Sequence, residues 1–253
     1  MTTPGRLFLI PAPLDFGCDT QAALQDVMPE GTMRQAAQLT HWICENAKTT
    51  RAYLKRIGAL YPLEAPLQQL SLRELPRVLH KKGDHQLDFD ARPLLQDTLA
   101  GHDTGLVSEA GMPAIADPGA SVVRAAHALG LQVLPMVGPV SIVLALAASG
   151  LNGQNFAFVG YLPQEPAGRA LRVRELERIA LAQRQTQLFI EVPFRNAALL
   201  QTLLEVLAPT TRLAVSAGIS LPTARSRSAT VAQWRQSGWA PDKRTPTVFA
   251  IGN

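Results

Sequence analysis

Leu106-Val-Ser-Glu-Ala-Gly-Met-Pro-Ala-Ile-Ala-Asp-Pro-Gly119 is the stretch whose reading decides the fold. It opens as a short apolar strand, Leu106-Val107-Ser108, and empties into Glu109-Ala-Gly-Met-Pro113. Glycine in that turn permits close backbone approach, and proline limits its conformations. Asp117-Pro-Gly119 then precedes a predicted helix that runs to Leu129, and the apolar pair Val133-Leu134 predicts the next strand. Strand, restricted loop, helix and strand in succession predict an α/β fold.

The same alternation extends outward in both directions. Upstream, residues 7–10 form an apolar run stopped by Pro11 and Pro13, residues 21–28 predict a helix, and residues 42–44 predict a strand ending at Glu45-Asn46. Residues 49–57 have a helical rhythm that puts Tyr53, Leu54 and Ile57 on one face, and residues 93–100 predict a helix. Between them, residues 61–90 hold prolines and two adjacent lysines, and read as an irregular surface loop or a mobile flap. Downstream, helices are predicted over 140–148, 170–181, 197–207 and 229–234, and strands over 156–159, 187–191, 213–216 and 247–251. The repeated bends at 118–121 place a domain boundary there, giving domains 1–119 and 120–253.

With 253 residues, 47% of them apolar and only 17% charged, the chain is long enough for one large core or two moderate domains and too apolar for disorder. The net charge of +4 is unevenly spread: residues 1–150 hold 12 basic and 14 acidic side chains, residues 151–253 hold 12 and 6, a division of −2 against +6. Cys18 and Cys44 make neither a disulfide framework nor a Cys-x-x-Cys site, so a reducing, cytoplasmic setting is expected. Residues 1–10 lack the charged region and cleavage site of a signal peptide. The interval between Arg124 and Glu165 has no charged residue, but Gln132, Pro135, Gly138, Pro139, Ser141 and Asn152 divide it into pieces shorter than the roughly 20 apolar residues of a membrane helix. It is expected to be buried strand, turn and helix, with no membrane contact.

Gly-x-Gly-x-x-Gly, Walker A, His-Glu-x-x-His, Gly-x-Ser-x-Gly and paired Cys-x-x-Cys motifs are all absent, which disfavours a standard nucleotide fold, a zincin or a hydrolase. The five histidines have no ligand-like spacing, and no metal site is expected. What remains is loops at strand ends. Pro11-Ala-Pro13, Glu109-Ala-Gly-Met-Pro113 and Gly138-Pro139 are either turns required by the fold or the walls of a small-molecule pocket. Glu45, Glu109 and Asp117 have the chemistry to orient a ribose, and the chemistry of helix caps. Glu191 ends a strand before Val-Pro-Phe-Arg195, and so could also border a cleft. Arg169, Arg172, Arg174 and Arg178 cluster on one predicted helix, interrupted by Glu175 and Glu177, with Arg225, Arg227, Arg235, Lys243 and Arg244 in the same half.

Several loops together carry a resemblance. Ile10-Pro-Ala-Pro-Leu14, the stretch 106–119, Gly138-Pro139 with Ala145-Leu-Ala-Ala-Ser-Gly-Leu151, and Phe156-Ala-Phe-Val-Gly-Tyr-Leu-Pro163 occur in the order seen in tetrapyrrole-methylase-type S-adenosylmethionine-dependent methyltransferases. More narrowly, the chain resembles the bacterial branch that 2′-O-methylates a cytidine of 16S ribosomal RNA. Leu188-Phe-Ile-Glu-Val-Pro-Phe-Arg195 resembles that branch's aromatic-Glu-Ser-Pro-His-Arg segment, and Trp42-Ile-Cys-Glu-Asn46 followed by Thr50-Arg51 resembles its Glu-Asp-x-x-x-Thr-Arg segment.

The resemblance covers nearly the whole chain. It implies a two-domain α/β tetrapyrrole-methylase-like fold with S-adenosylmethionine in the interdomain cleft, in place of a conventional Rossmann methyltransferase domain. It implies cofactor contacts from Pro11, Glu109, Gly111, Met112 and Pro113 in the first domain and Ala145 and Pro193 in the second. For methyl transfer to a ribose 2′-hydroxyl, Glu45 and Glu109 are the candidate catalytic carboxylates. Arg169, Arg172, Arg174, Arg178 and Arg195 are the candidate nucleic-acid contacts, with 16S ribosomal RNA or the small ribosomal subunit as partner and a homodimer as assembly. Methylation of a small or tetrapyrrole-like acceptor, and a cofactor-binding regulatory protein with weak activity, are the alternatives.

The chain departs from the family's pattern at several positions. The first-loop Gly-Asn pair is missing around Asp15-Phe16-Gly17, Glu-Asp becomes Glu45-Asn46, and Ser-Asp-Ala-Gly-Thr-Pro becomes Ser108-Glu-Ala-Gly-Met-Pro113. Ser-Pro-His-Arg becomes Val192-Pro-Phe-Arg195, and a later acidic, Lys-containing segment becomes Ser216-Ala-Gly-Ile-Ser-Leu-Pro222.

Overall fold

Successive side chains of a strand point to opposite faces, and the apolar run that begins the chain obeys that period. In β1 (Leu7–Leu9) and the residue after it, Phe8 and Ile10 pack on one side with Trp42, Cys44 and Val107, while Leu7 packs on the other with Ile43 and Leu106. A strand apolar on both faces needs cover on both. The computed structural model, which describes residues 3–82 and 89–253, supplies that cover. One face carries α1 (Leu24–Val27), α2 (Glu30–Gln38) and α3 (Ala47–Gly58). The opposite face carries α4 (Arg77–Lys82), a 3-10 turn at Arg92–Leu95 that continues into α5 (Gln96–Leu99), and α6 (Ala120–Ala128).

Between these layers, β1 lies with β2 (His41–Cys44), β3 (Ser71–Glu74), β4 (Thr104–Val107) and β5 (Val133–Pro135) in a five-stranded sheet of order β3-β2-β4-β1-β5. Every pairing in it is parallel. The doubly wound dinucleotide fold runs 3-2-1-4-5; here β4 sits between β2 and β1, so the topology departs from it.

The second sheet has the order β6-β7-β10-β8-β9 and is mixed. Its strands are β6 (Phe156–Tyr161), β7 (Thr186–Glu191), β8 (Arg212–Ala217), β9 (Arg225–Thr230) and β10 (Thr247–Gly252). β6 pairs parallel with β7, and the other pairings are antiparallel. On one face α8 (Pro166–Gln183), α9 (Asn196–Val206) and α10 (Val231–Arg235) bury a cluster around Phe189, Phe249 and Trp234. On the other, α7 (Ser141–Ser149) packs Ile142, Ala145 and Leu146 against Leu188, Ala214 and Val248. Glu165 caps α8 by accepting from the Ala167 and Gly168 amides, and Arg184 ends it in the left-handed region at φ 51°.

The chain packs as two compact units, Met1–Phe16 with Ala22–Val140, and Gly17–Gln21 with Ser141–Asn253. The boundary therefore lies at Val140 and not at Gly119. The physical reason is that α6 buries Val122, Ala125 and Ala126 beside Leu7 and Leu106, and β5 pairs with β1, so residues 120–140 complete the first sheet. The charge-free interval is also corrected: it spans that boundary and is not buried throughout, since Val137, Val143 and Leu144 are exposed. Residues 61–90, read as a loop or flap, contain β3 and α4, while 83–88 lie outside the described residues. The helix predicted over 229–234 starts at Val231, because residues 225–230 form β9.

Candidate active site

Because the first sheet is all parallel, the carboxyl ends of its five strands open on one edge. The chain leaves β1 toward β2 on one side and leaves β4 toward β5 on the other, yet β1 and β4 are neighbours. That reversal is a topological switch point, where ligands of open α/β sheets bind. The loops that leave it are fastened together, as Ala12 and Gly111 exchange two backbone hydrogen bonds of 2.9 Å each. Gly111 has φ +69°, and a Cβ there would lie 3.2 Å from a Leu14 methyl. Gly138, after β5, approaches the Pro11 ring so closely that a Cβ would stand 2.2 Å from its Cγ. Only glycine admits that approach.

Further bonds hold these loops from behind. Tyr53 Oη donates to the Pro11 carbonyl at 2.9 Å, and burial raises its phenol pKa. Thr32 Oγ1 donates to the Val137 carbonyl at 2.6 Å. Asp15 is buried and accepts from Arg56 Nη1 at 3.1 Å, Arg56 Nη2 at 3.0 Å and the Ala22 amide at 3.2 Å. Cys44 ends β2 as a packing thiol, its pKa pushed up to about 11 by burial.

Three carboxylates belong to this edge. Glu45 follows β2, and Asn46 next to it caps α3 by accepting from the Lys48 and Thr49 amides. An aspartate would cap equally well, so Asn46 leaves this function of the family's residue in place. Thr49 Oγ1 reaches the Asn46 carbonyl at 3.0 Å and Glu109 Oε1 at 3.3 Å. Asp117 is pushed up to about 7, first by burial and then by the charges of Glu45 and Glu109. The loop that carries Glu109 and Asp117 also holds Ala114 and Ala116 at φ 66° and 65°. Each costs about 1 kcal/mol, the kind of strain that collects at functional loops.

The structure thus brings Pro11, Glu45, Glu109 and Gly111 to one edge, with half-buried Met112 and buried Pro113 next in the β4 loop. Ala145 is 2% exposed within the core of the second unit, and Pro193 begins the 3-10 turn after β7. Sequence reasoning missed Gly138 as the partner of Pro11, and missed Tyr53, Thr49 and Asp15 as supports. Gly138-Pro139 was visible as a turn; its close approach to Pro11 had no local signal.

The arginines differ among themselves. Arg172 pairs with Glu175 at 2.6 Å, and Arg169 donates to Thr202 Oγ1 at 3.2 Å. Glu177 accepts from the Ala208 amide and Thr211 Oγ1, tying α8 to the segment before β8. Arg174 and Arg178, four residues apart, are exposed on α8. Arg195 pairs with buried Glu191, at 3.1 Å from Nε and 2.9 Å from Nη2, and lies over Phe194.

No protein-family profile matches the chain. It is 33% identical over 204 residues to Ribosomal RNA small subunit methyltransferase I of Xylella fastidiosa (strain Temecula1 / ATCC 700964), covering 80% of this chain and 64% of that protein. It is 31% identical over 204 residues to the protein of the same name from Escherichia coli O157:H7, covering 80% and 61%. The chain therefore spans less than two thirds of the length of these relatives. Among solved structures, the methyltransferase CobJ is similar with a TM-score of 0.56 at 17% identity, covering 98% of this chain and 94% of that one. The uroporphyrin III C-methyl transferase from Thermus thermophilus is similar with a TM-score of 0.55 at 16% identity, covering 98% of both.

Proposed function

On the premise that this chain is related by sequence to the small-subunit ribosomal RNA methyltransferases and by fold to the tetrapyrrole methylases, we propose that it is an S-adenosylmethionine-dependent methyltransferase acting on a ribose 2′-hydroxyl of small-subunit ribosomal RNA. The observation that carries the site is the crowding of Glu45, Glu109 and Asp117 beside the β1–β4 switch point. The chemistry of these residues fits the cofactor. A carboxyl such as Asp117, whose proton affinity is raised by burial and by two neighbouring carboxylates, is relieved by a ligand bearing a sulfonium, an ammonium and ribose hydroxyls.

When bound, S-adenosylmethionine supplies an electrophilic methyl group on a cationic sulfur. Pro11, Gly111, Met112 and Pro113 line its place on the first-unit loops, while Ala145 and Pro193 are the proposed contacts from the second unit. Glu109, held by Thr49, orients the cofactor and stands with Glu45 as an acceptor for the 2′-hydroxyl proton. Asp117, with a pKa of about 7, keeps a proton at the same edge near neutrality. Arg174 and Arg178 lead the proposed RNA contacts on α8, with Arg169 and Arg172 beside them and Arg195 after β7. A homodimer belongs to the same proposal: uncharged α7 turns Val143 and Leu144 outward, 52% and 43% exposed, and a second copy would cover them. Sedimentation equilibrium reads that directly.

The functional test is incubation with methyl-labelled S-adenosylmethionine and native cell extract, followed by separation of RNA, protein and small molecules. Label in small-subunit RNA that maps to one ribose is the expected result. Label in a heterocyclic small molecule would favour the tetrapyrrole-like alternative, and cofactor binding without transfer would favour a regulatory protein.

A further inference from the structure

The second unit carries a basic and aromatic surface at one end of its edge strand. Among the described residues β9 pairs only with β8, and its alternation puts Arg225 and Arg227 on the face of Ala229, the face covered by α10. Arg227 lies 4.7 Å over the Trp234 ring and donates to Ser237 Oγ at 2.8 Å. Trp234 is fully buried, Trp239 lies beside it with ring centroids 5.5 Å apart, and Arg225 lies 4.9 Å over Trp239. The row thus runs from the core to an exposed guanidinium. Among the described residues Arg225 makes no ion pair.

Strand register brings more cations to the same end. Arg225 is opposite Ala217, and Ala217 is opposite Thr247, so the segment leading into β10 lies there. Thr223, Lys243 and Arg244 line one cavity of about 470 Å³ together with Asp19. Two carboxylates, Asp19 and Asp242, share this end with Arg225, Lys243 and Arg244, which leaves it with one positive charge in excess. Asp242 accepts from the Arg244 and Thr245 amides and from Thr245 Oγ1, which holds its carboxyl below the usual range. Asp19 pairs with Arg244 at 3.0 Å, where both side chains are largely exposed and the pair is weak. Lys243, like Arg225, makes no ion pair among the described residues.

We propose that this end of the second sheet docks a single-stranded segment of RNA, with Arg225 and Lys243 meeting phosphates and the Arg225–Trp239 stack offering a plane to an unpaired base. The proposal rests on the RNA-acceptor reading above and adds a surface distinct from α8. The excess of positive charge complements phosphate, and a guanidinium carried on an indole suits splayed bases better than a closed duplex.

The test is fluorescence anisotropy of a labelled single-stranded oligoribonucleotide and of its duplex across a potassium chloride series, using the full chain. R225E and K243E change exposed side chains and are each expected to weaken single-strand binding about tenfold and to flatten the log–log salt slope by about 0.7 per lost phosphate contact. R225K keeps the slope while losing the stacking share of affinity. Arg212 is exposed at the opposite end of β8, opposite Thr230, so R212E is the charge-matched control and should bind as the wild type does. If wild type binds RNA and R225E and K243E bind it equally well, the surface is wrong while the RNA reading stands. If R212E is as damaging as R225E, net charge and not this surface is responsible, and the proposal falls. If wild type binds no RNA, the RNA reading falls with it.

Discussion

Asp117 in the first unit and Glu191 in the second are both carboxylates drawn out of water, and their neighbours differ. Glu191 ends β7 with Arg195 at hydrogen-bonding distance and the Val192 amide donating to it at 2.7 Å. Asp117 has Glu45 and Glu109 for neighbours, and no cation pairs with it among the described residues. A buried charge with its counter-charge is a structural joint, and breaking one partner leaves the other stranded. Carboxylates set against one another cost stability, an arrangement that concentrates at functional sites. The imbalance sits at the carboxyl edge of the parallel sheet, the edge on which open α/β sheets bind their ligands.

The comparison breaks most visibly if the two sets of acids respond alike to mutation. Glu45→Gln should lower kcat for methyl transfer by about 10²- to 10⁴-fold while the urea midpoint stays near wild type. Glu109→Gln should do the same and also weaken cofactor binding, which equilibrium dialysis would read. Arg195→Met should act the other way, costing about 3 kcal/mol in urea unfolding by stranding Glu191. A catalytic defect from Arg195→Met without that loss of stability would erase the distinction.

Smaller effects sharpen it. Gly138→Ala forces a methyl into the Pro11 ring and should cost about 2 kcal/mol, measured as a fall in Tm. Asp117→Asn tests the proton. Its folded pKa of about 7 lies above the unfolded value of about 3.9, so its contribution to stability is full at low pH and is lost as pH rises through about 7. Wild-type Tm should therefore fall across that window relative to the asparagine variant. Asn46→Ala should cost about 1 kcal/mol through the lost cap, and Asn46→Asp should cost almost nothing.

Central strands were legible because burial on both faces leaves an apolar signature. Leu7, Phe8 and Ile10, the run 106–108 and residues 247–251 all carry it. Two of the four edge strands, β3 and β9, were not. Ser-Leu-Arg-Glu of β3 and Arg-Ser-Arg-Ser-Ala-Thr of β9 are half solvated, so neither face selects apolar residues, and only the last two residues of β9 fell in a predicted element, the helix over 229–234. The boundary misplaced at Gly119 has a similar cause. Bends in a chain mark turns, and only the pairing of β5 with β1 tells that residues 120–140 belong to the first sheet. The strand-end loops were legible as turns with chemistry, but the repulsion that joins residues 45, 109 and 117 arises from three separate segments and has no sequence period.

The proposed cofactor site is tested most directly by the protons exchanged when S-adenosylmethionine binds. Titration calorimetry at pH about 7, repeated in buffers of different ionisation enthalpy, counts them. A cationic ligand beside Asp117 lowers its pKa, so wild type should release protons on binding and Asp117→Asn should not. Binding without proton release, or equal release by the variant, would contradict the placement of the cofactor at this acidic edge.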